Sequence, residues 1–146
     1  MVVQAVVKQD ARNPVNLEEA RALVKHVESL FTPWNIDALV AGFTADCVVR
    51  FGALPEFTGH AALRAFFNGR SAKQKDYRLT KELRALDGDT IANIWRGAWR
   101  DAESGVAMRG FGVEVWKMKG GKIAVWEAAF NVARADTAAS VADMLR

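Results

Sequence analysis

The chain has 146 residues, 51% hydrophobic and 25% charged, the balance of one soluble globular domain that buries its own core. Its 20 basic and 17 acidic residues leave a net charge of +3, scattered along the chain, so nucleic acid is not an expected partner. Cys47 is the only cysteine, which excludes a disulfide framework and a thiolate metal cluster.

"MVVQAVV" at the start lacks the basic residues and h-region of a signal peptide. No apolar run reaches membrane-spanning length, so the expected setting is the cytoplasm, away from membranes. Residues 1–15 read as an N-terminal arm, 16–133 as a single domain and 134–146, rich in alanine, as a C-terminal helix or tail.

Asn16 followed by Glu19 fits a helix N-cap with its capping-box carboxylate. Leu17, Ala20, Leu23, Val24, Val27, Leu30 and Phe31 then mark one helical stripe, which Pro33 stops. A short second helix is expected over "NIDALVAGF" (35–43), a strand over "CVVRF" (47–51) and a turn-rich loop over "ALPEFTG" (53–59). Thr58 or Gly59 opens a third helix, with Ala62, Leu63, Phe66 and Phe67 on its apolar face.

From Tyr77 the pattern becomes antiparallel β. "DYRLTKELRAL" and "TIANIWRGAWR" are joined at Asp87-Gly88, a two-residue hairpin signal. "DAESG" turns the chain into "RGFGVEVW", and Gly120-Gly121 turns it again into "KIAVWEAAFNV". Three helices followed by a four-strand meander make an α+β plan, with the helices in the concavity of a curved sheet. The expected shape is a cone with a cavity.

These segments carry a resemblance. "FTADCVVRFGALPEFTGHAALRAFF", "IANIWRGAWRD" and "GVEVWKMKGGKIAVWEAAF" are similar to the nuclear transport factor 2-like superfamily. That group includes SnoaL-like cyclases, ketosteroid isomerases, scytalone dehydratases and limonene epoxide hydrolases. "DYRLTKELRAL", "RGFGVEVW" and Phe130-Asn131 resemble one uncharacterised branch, whose members tend to carry DYRL-x-KEL, R-x-Y-G-x-E-x-W and a terminal Asn. The likeness spans roughly residues 30–132. It implies a dimeric cone whose pocket takes small, mostly apolar or aromatic ligands, with no cofactor.

The characterised mechanisms do not carry over. Val49 and Phe51 stand where epoxide hydrolases place a Tyr and an Asn, and Phe51 about where ketosteroid isomerases place their Asp. Trp95 and Gly97 replace the hydrolases' Arg-x-Asp pair, and Ala128 their last Asp. The comparison also sets which parity points inward: Cys47, Val49, Phe51, Trp95, Gly97, Trp99, Gly110, Gly112, Glu114, Trp116, Ala128 and Phe130. The opposite parity collects Arg50, Arg96, Arg100, Arg109, Glu127 and Asn131 with Phe111, Val113, Val115 and Val125, a mixture suited to a sheet-to-sheet dimer interface through Arg96, Arg109, Glu127 and Asn131.

Glu114 is then the one clear inward carboxylate. A plain two-residue turn at Gly120-Gly121 puts it opposite Glu127, a costly like-charge pair. A G1 bulge there shifts the register and puts it opposite Ala128, the arrangement that keeps Trp116, Glu114 and Phe130 on one face.

In an aromatic pocket, desolvation is expected to raise the pKa of Glu114 and suit it to general acid/base work. The competing reading has Tyr77 or an arginine bonded to Glu114, which then only fixes the sheet. Trp95, Trp99 and Trp116 would wall the pocket, with Phe51, Phe130 and Val49 beside them, Trp34 closing the mouth and Tyr77 at its edge. His60 reads as a helix-start contact, His26 as exposed, and neither pairs with Cys47 into a nucleophile or a metal site. Gly110 and Gly112 lie in a strand, where glycine signals a bulge or the close approach of backbone to a ligand.

Two functions follow. One is a cofactor-free enzyme of isomerase, dehydratase, cyclase or hydrolase type using Glu114. The other is a non-catalytic, dimeric small-ligand-binding module.

Overall fold

The first helix, α1 (Leu17–Ser29), starts where Asn16 Oδ1 accepts the Glu19 amide at 2.9 Å, satisfying one of the orphan donors of the first turn. Glu19 does not close the capping box on Asn16; its carboxylate takes the Val15 amide and the Arg12 guanidinium instead. The computed structural model describes residues 12–137, so most of the expected N-terminal arm and the segment beyond 137 lie outside the described residues. Asn13, within the described part, reaches the far hairpin, accepting from Gly121 N and donating to Met118 O.

The second helix, α2 (Ile36–Ala41), is shorter than expected, because the chain is already extended by Phe43. Strand β1 (Phe43–Phe51) therefore begins four residues before the expected "CVVRF". The turn-rich loop also holds a two-residue strand, β2 (Phe57–Thr58), paired antiparallel to β1. The third helix, α3 (Gly59–Lys73), leads into the meander β3 (Gln74–Asp87), β4 (Thr90–Asp101), β5 (Ala107–Lys119) and β6 (Lys122–Arg134).

All six strands form one curved, open sheet in the order β2-β1-β6-β5-β4-β3, antiparallel except for β1 beside β6. The expected α+β cone is what forms. The first hairpin turns one position later than expected: Asp87 pairs with Thr90, leaving Gly88 and Asp89 as the loop, with Gly88 at φ +57°.

Strand β3 is a sheet edge, and at Tyr77 and Lys81 its outward backbone is met by α1 and the loop after it. Glu28 of α1 accepts from Lys81 N at 2.6 Å, and Lys25 donates to Lys81 O at 2.7 Å. Thr32 does the same for Tyr77 O at 2.8 Å. Beneath α1 and α3 the core joins Val24, Phe31, Leu39, Phe43, Leu63 and Phe67 to the inward side chains of the sheet.

Candidate functional site

Strand alternation aims β5 residues 110, 112, 114, 116 and 118 into the cone, and all five are buried. Register decides what faces Glu114. Lys119 pairs with Lys122 and Met118 with Ile123 across a two-residue turn, whose glycines have φ +58° and +78°. The pairing then slips between Met118–Ile123 and Lys117–Val125, leaving Ala124 as an extra residue in β6. Glu114 consequently lies opposite Ala128, not Glu127. The turn is plain and the bulge sits beyond it, so each sequence alternative held half of the geometry.

Glu114 is 2% exposed and fully partnered. The Lys81 ammonium of β3 donates to its Oε1, Trp116 Nε1 donates to Oε1 at 3.1 Å, and Trp126 Nε1 donates to Oε2 at 3.0 Å. The partner is thus a lysine, where Tyr77 or an arginine was the expected alternative. Lys81 is itself only 3% exposed; its ammonium lies 3.5 Å from Asn93 Oδ1 and 5.4 Å from the centre of the Trp116 ring. Burial pushes the Lys81 pKa below its ordinary value, Glu114 opposes that shift, and the Arg70 charge adds to it. Asn93 Nδ2 is buried without a hydrogen-bond partner, an orphan donor beside the pair.

Above the pair, toward the open end, stand Tyr77 and Arg70. Arg70 donates to Tyr77 Oη and to Gln74 Oε1, each at 3.1 Å. Its guanidinium carbon sits 5.3–5.7 Å from the ring centres of Phe31, Trp34, Phe51, Phe66 and Tyr77. Burial raises the Tyr77 pKa, and the Arg70 charge opposes the rise.

The expected pocket residues do not share one cavity. Phe51, Tyr77 and Trp95 line a void of about 10 Å³ with Arg70, Lys81 and Glu114. Trp116 lines a second void of about 10 Å³ deeper in, and Val49 is wholly buried core. Phe51, Trp99 and Phe130 instead border a cleft of about 950 Å³ at the mouth, on the outer side of Arg70. Trp34 stacks on Tyr77 with ring centres 5.2 Å apart, beside a neighbouring groove.

The strand glycines make room for the protein's own rings rather than for a bulge or a ligand. A Cβ on Gly112 would fall 2.3 Å from Trp95 Nε1, and one on Gly110 3.0 Å from the same ring. The pairing of Gly112 with Trp95, and of Gly110 with Gly97, is regular.

On the outer face Arg50, Arg96, Arg109, Glu127 and Asn131 are exposed. Phe111 and Val113 are 44% and 47% exposed beside them. His26 is exposed, and His60 Nε2 lies 2.9 Å from the Phe43 carbonyl, which can only accept. Burial pushes the Cys47 thiol up, away from thiolate character. Among the described residues no three His, Cys, Asp or Glu side chains are placed to share a metal ion.

Four members of the cluster escape a sequence reading centred on Glu114: Lys81, Asn93, Trp126 and Arg70. Each left a signal. Lys81 continues the alternation of Tyr77 and Leu79, and Asn93 that of Ile91 and Trp95. Trp126 shares the parity of Ala128 and Phe130, and Arg70 extends the helical stripe of Leu63, Phe66 and Phe67.

A helix-filled, curved, open sheet of this order defines the nuclear transport factor 2-like cone, and solved structures share it. The epoxide hydrolase/cyclase-like enzyme SalBIII, tied to pyran ring formation in the polyether salinomycin, matches with a TM-score of 0.71 at 17% identity, over 80% of this chain and 96% of its own. An LEH-like epoxide hydrolase of M. tuberculosis matches with a TM-score of 0.61 at 14% identity, over 78% of this chain and 84% of its own. Within that fold the chain belongs to the family described as "Protein of unknown function (DUF1348)", which matches residues 13–140. No curated protein matches the chain in sequence.

Proposed function

We propose that the chain is a small-molecule enzyme of general acid/base type, and that Lys81 and Glu114 together are its proton-handling groups. The observation that carries this reading is the buried ion pair itself. Desolvating two charges is so costly that apolar residues of similar volume are often as stable, and perturbed ionisable groups concentrate at functional sites. Glu114 held by two indole donors acts as base, while the neighbouring Lys81 ammonium stabilises negative charge that develops on a substrate oxygen. With its pKa lowered by burial, Lys81 also gives up its proton more readily than a surface lysine. The fold relatives named for epoxide-hydrolase and cyclase chemistry support a reaction of the isomerase, dehydratase, cyclase or hydrolase type.

A void of about 10 Å³ at the pair admits no substrate, so turnover requires Arg70 and the rings around it to swing aside toward the mouth cleft. That same closure favours a second reading. In it the ligand stays in the mouth cleft, and Glu114 stitches β3, β5 and β6 together in a non-catalytic binding module. In either reading two copies pair through the outer sheet face around Phe111 and Val113, with Arg96, Arg109, Glu127 and Asn131 at the contact.

The discriminating experiment uses apolar enolisable ketones and epoxides in D₂O, followed by NMR for α-proton exchange or ring opening. Catalysis requires the parent to act and Glu114→Gln to lose about 100-fold or more. Equal rates in parent and variant overturn it. Binding without any exchange by the parent establishes the second reading.

A further inference from the structure

The cleft at the mouth of the cone combines an apolar wall with an arginine that has no acid to answer it. Arg70 is half-buried at the C-terminal end of α3, and among the described residues no carboxylate lies within salt-bridge distance of it. Its hydrogen bonds go to two neutral oxygens, Tyr77 Oη and Gln74 Oε1. A guanidinium carries five N–H donors in a planar fork, so donors remain for a ligand. The faces of the five surrounding rings supply attraction to the cation, and apart from Tyr77 Oη they offer it no conventional acceptor.

The rest of the cleft has the same character. Its wall is apolar, with Phe66, Trp99, Met108 and Phe130 among its side chains. Lys73 and Arg134 border it as well, Arg134 already paired with Asp136 at 3.2 Å. The single acid on it, Asp101, is turned to its own loop, where one carboxylate oxygen takes the Ser104 amide and hydroxyl at 2.8 Å each. Arg70, a cation with no carboxylate partner among the described residues, at the edge of an apolar volume of about 950 Å³ selects an anion with a sizeable hydrocarbon or aromatic body.

We propose that this cleft binds an apolar carboxylic acid, with its carboxylate on the Arg70 fork and its body against Phe66, Trp99 and Phe130. A planar carboxylate matches the guanidinium fork two bonds to two, which a hydroxyl or a ketone does not. The proposal rests on reading the cone as a small-molecule site and names the ligand class. Because Arg70 also lines the void at Lys81 and Glu114, a carboxylate that draws the guanidinium outward opens the way to that pair.

Calorimetry and tryptophan fluorescence, with Trp99 on the cleft and the Trp34 ring 5.3 Å from the Arg70 guanidinium, test it on the full chain with 4-phenylbutanoate and its neutral isostere 4-phenylbutanamide. The acid should bind about 10- to 100-fold more tightly than the amide, the range for a hydrogen-bonded charged head group. Arg70→Gln should erase that preference, and Arg70→Lys, which keeps the charge and loses the fork, should retain only part of it. Equal affinity of acid and amide for the parent overturns the proposal without any variant, which covers the case in which Arg70→Gln fails to fold. Preference for the acid surviving in a folded Arg70→Gln overturns it too, as does binding of neither probe. Proton exchange on neutral ketones is measured separately, so a catalytic pair with no acid preference is distinguishable from a cleft that binds acids without turnover.

Discussion

Replacing Lys81 by Met strips Glu114 of its counter-ion while leaving the carboxylate 2% exposed and still bonded by two indoles. Breaking one side of a buried pair costs about 3–5 kcal/mol, because the remaining charge has neither water nor counter-ion. Glu114→Gln should cost a similar amount, now through a stranded Lys81. The double variant Lys81→Met/Glu114→Gln removes both charges and leaves one indole N–H and the glutamine N–H groups facing it short of acceptors, at about 1–3 kcal/mol for each unmet group. The singles should therefore sum to well above the double, a coupling that urea unfolding followed by circular dichroism measures directly.

The pH dependence sharpens the test. In Glu114→Gln, Lys81 has lost the group that opposed its depressed pKa, so the folded value falls further below the ordinary 10.5. Between those two values the unfolded chain binds more protons than the folded one, so stability rises with pH. The penalty is largest below the folded value and is relieved as the solution approaches 10.5; the double variant lacks this rise. Additive costs, or a Glu114→Gln profile parallel to that of the double variant between pH 6 and 10, would refute a buried charged pair.

Gly112→Ala should cost about 1–3 kcal/mol, the range for overpacking, since its Cβ lands 2.3 Å from Trp95 Nε1 and the ring must shift; thermal unfolding and the tryptophan emission maximum report both effects. Val113→Glu, on the outer face, should keep the fold and convert the proposed dimer to a monomer in sedimentation or light scattering. A dimer that survives places the interface elsewhere. The Glu114→Gln exchange experiment and the acid–amide comparison at Arg70 complete the set.

Much of the architecture was legible because the fold repeats local signals. Asn16, Gly88 and the glycine pair at 120–121 each mark a boundary through one residue's own conformational needs. Period-two alternation in β4 and β5 divided Trp95, Gly112 and Glu114 from Arg96, Phe111 and Val113, and the family resemblance set the first group as the inward one. The early start of β1 escaped because "FTAD" has no strand signature of its own; Val48, Val49, Arg50 and Phe51 extend along β6, and Phe43 is drawn in by pairing with Ile123.

Glu114 stood out in the sequence as an acid among apolar neighbours, and that much needed no structure, since local pattern alone reveals a charge where burial is expected. Who answers that charge was a tertiary decision. Lys81 is 33 positions away on a strand that never pairs with β5, and it reaches Glu114 across β4 only because the sheet curls. The same curvature closes the void above the pair and moves the open volume outward to Arg70. Which face a residue takes follows from the two-residue period of a strand, but distances between strands, and so the partners of a buried charge, exist only once the sheet has bent around its helices.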